Sequence, residues 1–145
     1  MKRHPSLIPL SRQHHRALLL AQMLKLSAPD YIGMPTDASG KTLHALTFFA
    51  SDLLPHFEAE EKIFNMLRNI DPELDIALEQ ILAEHELIRD LFQSLPRHAA
   101  DVVYLDSIGQ MLENHIRRED RELFPMIERK APEEVMTTIA SILCH

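Results

Sequence analysis

The stretch HFEAEEKIF at residues 56–64 returns in altered form as HIRREDREL at residues 115–123. In each copy a histidine precedes a glutamate by four residues, a second acid follows that glutamate, and the chain then runs into apolar residues. Residues four apart share one face of an α-helix, so His56 would stand beside Glu60 and His115 beside Glu119. A face carrying an imidazole and a carboxylate is either a solvated ion pair or half of a metal site. Whichever it is constrains what a fold built from these segments can bury.

The rest of the chain is suited to helices. It has only three glycines, few aromatics, and abundant Leu, Ala, Met, Glu and Arg, which together point away from sheet and toward an all-α fold. Its 145 residues suffice for a single domain with a real core, expected over 1–145 with the bundle core at roughly 10–130. The pattern SRQHHRALLLAQMLKL predicts a first helix over residues 11–26 with Ser11 as its N-cap. The linker SAPDYIGMP follows, and a second helix is expected from near Asp37 or Ser39 to about residue 68. Asp71 and Pro72 form a cap and first-turn pair for a third helix over 72–94, stopped at Leu95 and Pro96. A fourth helix is expected over about 99–130, and a short fifth after Pro132. Pro55 and Pro125 fall inside the second and fourth helices, where each removes a backbone donor and bends the helix.

Several function classes fit poorly. A formal net charge of −7 without a basic stripe argues against binding to a nucleic acid backbone, which needs clustered Lys and Arg. The single cysteine, Cys144, cannot form an intramolecular disulfide or a thiolate metal site alone. Pro5, Pro9 and RQHHR interrupt the apolar core that a secretory signal would need, and no apolar run approaches bilayer length. The expected location is therefore the cytoplasm. The HExxH of zinc proteases, the ExxH of ferritin-like bundles, a phosphate-cradling Gly-rich loop and the GxSxG elbow are all absent.

The HxxxE pair gains weight from its surroundings, since its frequency alone is near chance in a chain with nine histidines and 22 acids. His85 in LAEHELIRDL is flanked at helical spacing by Ile81, Leu82, Ile88 and Phe92, so it points inward. In the first helix, Leu10, Ala17, Leu18 and Ala21 flank His14, which is preferred on that ground over His15. A lone histidine on an apolar face is more often a bonded core residue than a ligand. Four histidines with two glutamates are another matter, because an unpaired buried carboxylate costs several kcal/mol. Two divalent cations would remove that cost, each taking two imidazoles and two carboxylate oxygens. Such donors suit iron, with manganese or zinc as alternatives. With a bridging solvent each metal would keep one position open for a diatomic molecule or peroxide.

Across nearly the whole chain the sequence resembles the hemerythrin-like, HHE cation-binding proteins, most closely the bacterial branch of iron-centre repair di-iron proteins. The resemblance rests on LSRQH, HFEAEE, AEH, and HIRRED followed by LFPMIE. It implies an antiparallel, up-and-down four-helix bundle around a non-haem di-iron centre, with His14, His56, His85 and His115 as terminal ligands and Glu60 and Glu119 as bridges. Oxygen-carrying hemerythrins have a further histidine four residues after the one matched by His85, where this chain has Arg89. They take their last carboxylate from an aspartate at the place of Asp120. By helical geometry Glu119 lies about 40° around the helix from His115 and Asp120 about 140°. The resemblance implies a protein that binds or reduces O2, NO or peroxide in stress response or iron handling. Its competitor is a noncatalytic metal-binding module or an iron or oxygen sensor acting through a partner protein.

Overall fold

The computed structural model describes residues 2–143, so Cys144 lies outside the described part. Seven α-helices are present there: α1 (Ile8–Leu24), α2 (Ala38–Phe48), α3 (Leu54–Met66), α4 (Pro72–Ser94), α5 (Val102–Arg118), α6 (Phe124–Lys130) and α7 (Glu133–Leu143). Wide π turns, Phe49–Leu53 and Glu119–Leu123, join α2 to α3 and α5 to α6 without a break. The described residues thus form four long helical spans and a shorter C-terminal helix, the hemerythrin-like architecture expected from the sequence. None of these helices is long and apolar enough to cross a membrane.

Side-chain caps fix the starts of three of the four long spans. Asp37 accepts from the Gly40 N–H, Asp71 from Glu73 and Leu74, and Asp101 from Val103 and Tyr104. Each satisfies donors that the first turn leaves orphaned. The expected Ser11 cap is corrected: α1 starts at Ile8, after a 3-10 turn over Pro5–Leu7. Leu7 and Leu10 are fully buried, so burial draws the helix start upstream, and Pro9 sits in the first turn where its missing N–H costs nothing. Ser11 instead donates to Asp120 Oδ1 at 3.3 Å. The second span ends at Met66 and the fourth begins at Val102, each within a few residues of a left-handed residue, Asn69 (φ 67°) and Ala100 (φ 73°) respectively.

Both internal prolines follow a π turn. The Leu54 N–H bonds to the Phe49 carbonyl and the Phe124 N–H to the Glu119 carbonyl, five residues back in each case. Pro55 and Pro125 come directly after. A proline ring would clash with the carbonyl four residues earlier, and the wider turn accommodates it without ending the helix.

Neighbouring spans run antiparallel. Between α1 and α5, Gln22 donates to Glu113 and the Leu26 N–H donates to Asp106. The core divides into two apolar clusters, one holding Ala17, Leu53, Phe57, Ile88, Leu112 and Ile116, the other Leu10, Ile63, Ile81, Leu123 and Phe124. Every long span passes from one cluster to the other, and the crossing points are His14, His56 with Glu60, His85, and His115 with Glu119. A polar layer therefore cuts the core in two.

Gly109 sets the α1–α5 spacing. A Cβ there would stand 2.7 Å from the Ala21 carbonyl oxygen and 3.2 Å from Leu24 Cβ. Alanine's helix propensity would offset part of that clash, so valine is the cleaner substitution. Gly109→Val is expected to cost about 1–3 kcal/mol through overpacking against backbone that cannot yield. Thermal unfolding followed by circular dichroism should show a Tm several degrees below wild type; an unchanged Tm would mean that α1 and α5 separate freely.

Candidate metal centre

All six candidate residues meet in the polar layer, each almost wholly shielded from water; the most exposed, His56, is 6 % accessible. His14 comes from α1, His56 and Glu60 from α3, His85 from α4, His115 from α5, and Glu119 from the start of the second π turn. His15, the alternative in the first helix, is exposed. The six form two groups whose donor atoms lie within 4.8 Å of one another: His14, His56, Glu60 and Glu119; and Glu60, His85, His115 and Glu119. Both glutamates belong to both groups. No sequence position other than Glu60 and Glu119 does so.

The Nε2 atoms of all four histidines and all four oxygens of Glu60 and Glu119 are buried without a hydrogen-bond partner. Their separations are nevertheless short. His14 Nε2 is 3.0 Å from Glu119 and 3.5 Å from Glu60, His56 Nε2 3.3 Å and His85 Nε2 3.2 Å from Glu60, and His115 Nε2 3.5 Å from Glu119. Close approach without hydrogen-bond alignment means that these atoms aim at the space between them. Eight convergent orphans would be an expensive error in a closed core, whereas shared cations satisfy all of them.

The far side of each imidazole is tied down. His14 Nδ1 lies 3.0 Å from Asp120, His85 Nδ1 2.8 Å from Glu61, and His115 Nδ1 2.8 Å from Glu84, while His56 Nδ1 lies 2.5 Å from the side-chain oxygen of Gln13. With a proton on each Nδ1, every Nε2 lone pair points inward, the tautomer that cation binding requires. Glu61 is itself held by Arg89 at 2.8 Å, and Glu84 by Arg118. Aromatic rings brace the same imidazoles: Phe57 stacks on His85 at 4.0 Å between centroids and Phe124 on His14 at 5.5 Å.

Electrostatics follow from burial and these partners. Desolvation pushes the His14 and His85 pKa values down, but the carboxylates around them prevail. His14 is held well above its ordinary value by Asp120, Glu119 and Glu60, and His85 is raised to about 10 by Glu119 and Glu60. Burial likewise opposes ionisation of Glu60, yet the charge of His56 and contacts with His14, His56 and His85 hold its pKa well below the usual carboxylate range. Desolvation wins at His115, whose pKa is lowered with help from the positive charges of His85 and His14. When only protons balance the two carboxylates, imidazolium supplies the positive charge; a cation taking that place must displace protons.

A cavity of about 250 Å³ runs from the exposed Arg16 and Ser51 to His14, His56, His115 and Glu119. Its outer end is spanned by the Arg16–Asp52 ion pair at 2.6 Å. Arg89, which stands where oxygen-carrying hemerythrins have a further histidine, does not line this cavity; it bonds Glu61 and Glu86 and lies over Phe57. Sequence reasoning also overlooked Gln13 and Glu84, which act across helices and obey no spacing rule. Asp120 and Glu61, the second acids of the two copies of the repeat, stand behind His14 and His85.

Fold and site together define a helical-bundle protein with two candidate cation-binding clusters at its centre. The family model for the hemerythrin HHE cation binding domain matches residues 9–127, and the chain belongs to that family. No curated protein and no solved structure matches it significantly.

The geometry separates inward from outward carboxylates by experiment. Glu60→Ala and Glu119→Ala are expected to lose metal almost completely, whereas Glu61→Ala and Asp120→Ala should still load metal with affinity reduced about 10–100-fold. Metal content after dialysis against a graded chelator measures this, with circular dichroism confirming the fold. Equal retention in all four variants would contradict the assignment, and His14→Ala against His15→Ala checks the first helix in the same assay.

Proposed function

We propose that this chain holds two iron ions, bridged by Glu60 and Glu119 and capped by His14 with His56 on one side and His85 with His115 on the other. It binds or reduces dioxygen, nitric oxide or peroxide there, in stress defence or iron handling. The observation that supports this most is the set of eight buried, convergent, unpartnered atoms shared between two overlapping clusters. Six side chains exceed what one cation with an open position needs, and their donors divide evenly around two carboxylates. Imidazole and carboxylate donors suit iron, and the family's cation-binding character agrees. The similarity of LSRQH, HFEAEE and HIRRED to the iron-centre repair branch favours a stress or repair setting.

Two ferrous ions in this position would supply two electrons, the number that converts hydrogen peroxide with two protons into water. The chain's own residues set the conditions for that chemistry. Asp120, Gln13, Glu61 and Glu84 fix the imidazole rings and keep their Nδ1 protons. Leu53, Phe57 and Ala17 line the inner cavity with apolar surface, and its volume of about 250 Å³ admits small molecules to the His14–His56 side. A water in the liquid occupies about 30 Å³, so the space is ample for a diatomic molecule or peroxide.

A dedicated carrier needs reversible binding, and the ion pair across the mouth of this route is a surface one, a weak closure. The di-ferrous protein is therefore expected to oxidise on mixing with air, with a spectral change that removing the gas does not reverse. Stopped-flow spectroscopy checks it. A change fully reversed by deoxygenation would restore the carrier reading, and spectra inert to oxygen, nitric oxide and peroxide alike would favour the noncatalytic metal-binding module.

A further inference from the structure

The second π turn leaves a carbonyl that its own helix cannot serve. The Phe124 N–H bonds to the Glu119 carbonyl, and the next residue is Pro125, which has no N–H. A helical carbonyl takes its hydrogen from the residue four or five positions on, and for Asp120 those positions are Phe124 and Pro125. The Asp120 carbonyl is therefore without a helical donor. The first π turn repeats the gap at Ala50, whose partners would be Leu54, already bonded to Phe49, and Pro55. Ala50 is exposed, so water serves it. That turn carries none of the six candidate ligands, whereas the second carries Glu119 and, next to it, the Asp120 that bonds His14.

The missing donor comes from the segment before α1. Arg3 donates through Nη2 to the Asp120 carbonyl at 2.6 Å and through Nη1 to Glu128 at 2.5 Å. Its guanidinium also lies over the Phe124 ring, 5.5 Å from the centroid, and Phe124 stacks on His14. The planar fork of an arginine serves a carbonyl and a carboxylate at once, which a lysine does poorly. The segment has its own anchors: buried Ser6 donates to the Met136 carbonyl at 2.7 Å, Leu7 is fully buried, and His4 Nε2 lies 3.3 Å from Glu133. Residues 3–7 thus strap α6 and α7 to the turn that bears Glu119. Arg3 stands outside residues 9–127, the part that the family model matches.

Without the guanidinium the Asp120 carbonyl would have to turn toward water. The peptide that turns follows Asp120 directly, so its rotation would draw the Asp120 side chain from His14 Nδ1 and loosen Glu119 beside it. We propose that Arg3 is a positioning residue for the metal centre, a strap that completes the second π turn and so holds Glu119, Asp120 and His14 in the geometry that takes a cation. This rests on the two-cation reading above. Docking of the strap and loading of metal then favour each other, by the same factor in both directions.

Measurements on the full chain test this. In competition with a chelator, Arg3→Ala is expected to bind iron about 10-fold more weakly, the lower end of the effects of outer hydrogen-bond partners. Arg3→Lys should recover part of the loss, and Lys2→Ala, at an exposed neighbouring position, should match wild type. Trypsin cleavage after Arg3, read from the intact mass, gives the reverse view. Cleavage requires the side chain to leave its contacts, so iron loading should slow it by a similar factor. A role confined to packing would lower the Tm and leave cleavage indifferent to metal. In metal-free protein, hydrogen exchange at the Phe124 amide should be faster in Arg3→Ala than in wild type, with exchange in α4 unchanged. Undiminished iron affinity in Arg3→Ala, or cleavage equally fast with and without iron, would overturn the proposal while leaving the two-cation centre standing. Wild-type protein that takes up no iron would instead overturn the two-cation reading and the coupling with it, and exchange at Phe124 would still decide whether Arg3 holds the turn.

Discussion

Eight nitrogen and oxygen atoms with no hydrogen-bond partner sit at the middle of this bundle, and the rest of the structure is arranged around them. Burying a carboxylate without compensation costs several kcal/mol, and two such groups would consume much of the roughly 5–15 kcal/mol by which a domain is stable. Evenly divided apolar clusters above and below the layer hold the four long spans in register so that these atoms converge. Gly109 contributes by letting α1 lie close to α5, which places His14 against Glu119 and Asp120. The apolar clusters stabilise the fold, and the layer between them gathers imidazole and carboxylate donors of the kind a cation takes.

The two halves of the site look alike in sequence and differ in construction. His56 and Glu60 lie within one stretch of α-helix, downstream of a π turn, whereas Glu119 is the first residue of a π turn. In the first half the proline precedes the motif; in the second it follows. The repeat therefore approximates a two-fold relation among the donor atoms while the backbone departs from it. Across that departure the second acids keep one role: Asp120 stands behind His14 and Glu61 behind His85. Each second acid of the repeat supports a histidine on another helix.

Much of this was legible in the sequence because the governing rules are local. Asp71 with Pro72 marked the start of α4 to the residue, and apolar residues at helical spacing around His14 and His85 turned both inward. What the sequence hid depends on contacts between distant segments. The start of α1 moved upstream because Leu7 and Leu10 reach the lower cluster, a burial that outweighed the capping preference of Ser11. Gln13 and Glu84 carry no motif, and their partners are 43 and 31 residues away. Arg89 differs from the oxygen carriers in the sequence, and in the fold it holds Glu61, a contact no spacing rule gives; the open side of the site is set by the packing of α1 against the first π turn and α3.

The central claim is that the convergent atoms surround two cations rather than one or none. Anomalous diffraction from crystals of the iron-loaded protein, collected on either side of the iron edge, locates the metal without assuming any ligand. The account expects two peaks about 3.5–4 Å apart, both within bonding distance of Glu60 and Glu119. A single peak, or peaks outside the layer formed by His14, His56, His85 and His115, would contradict it.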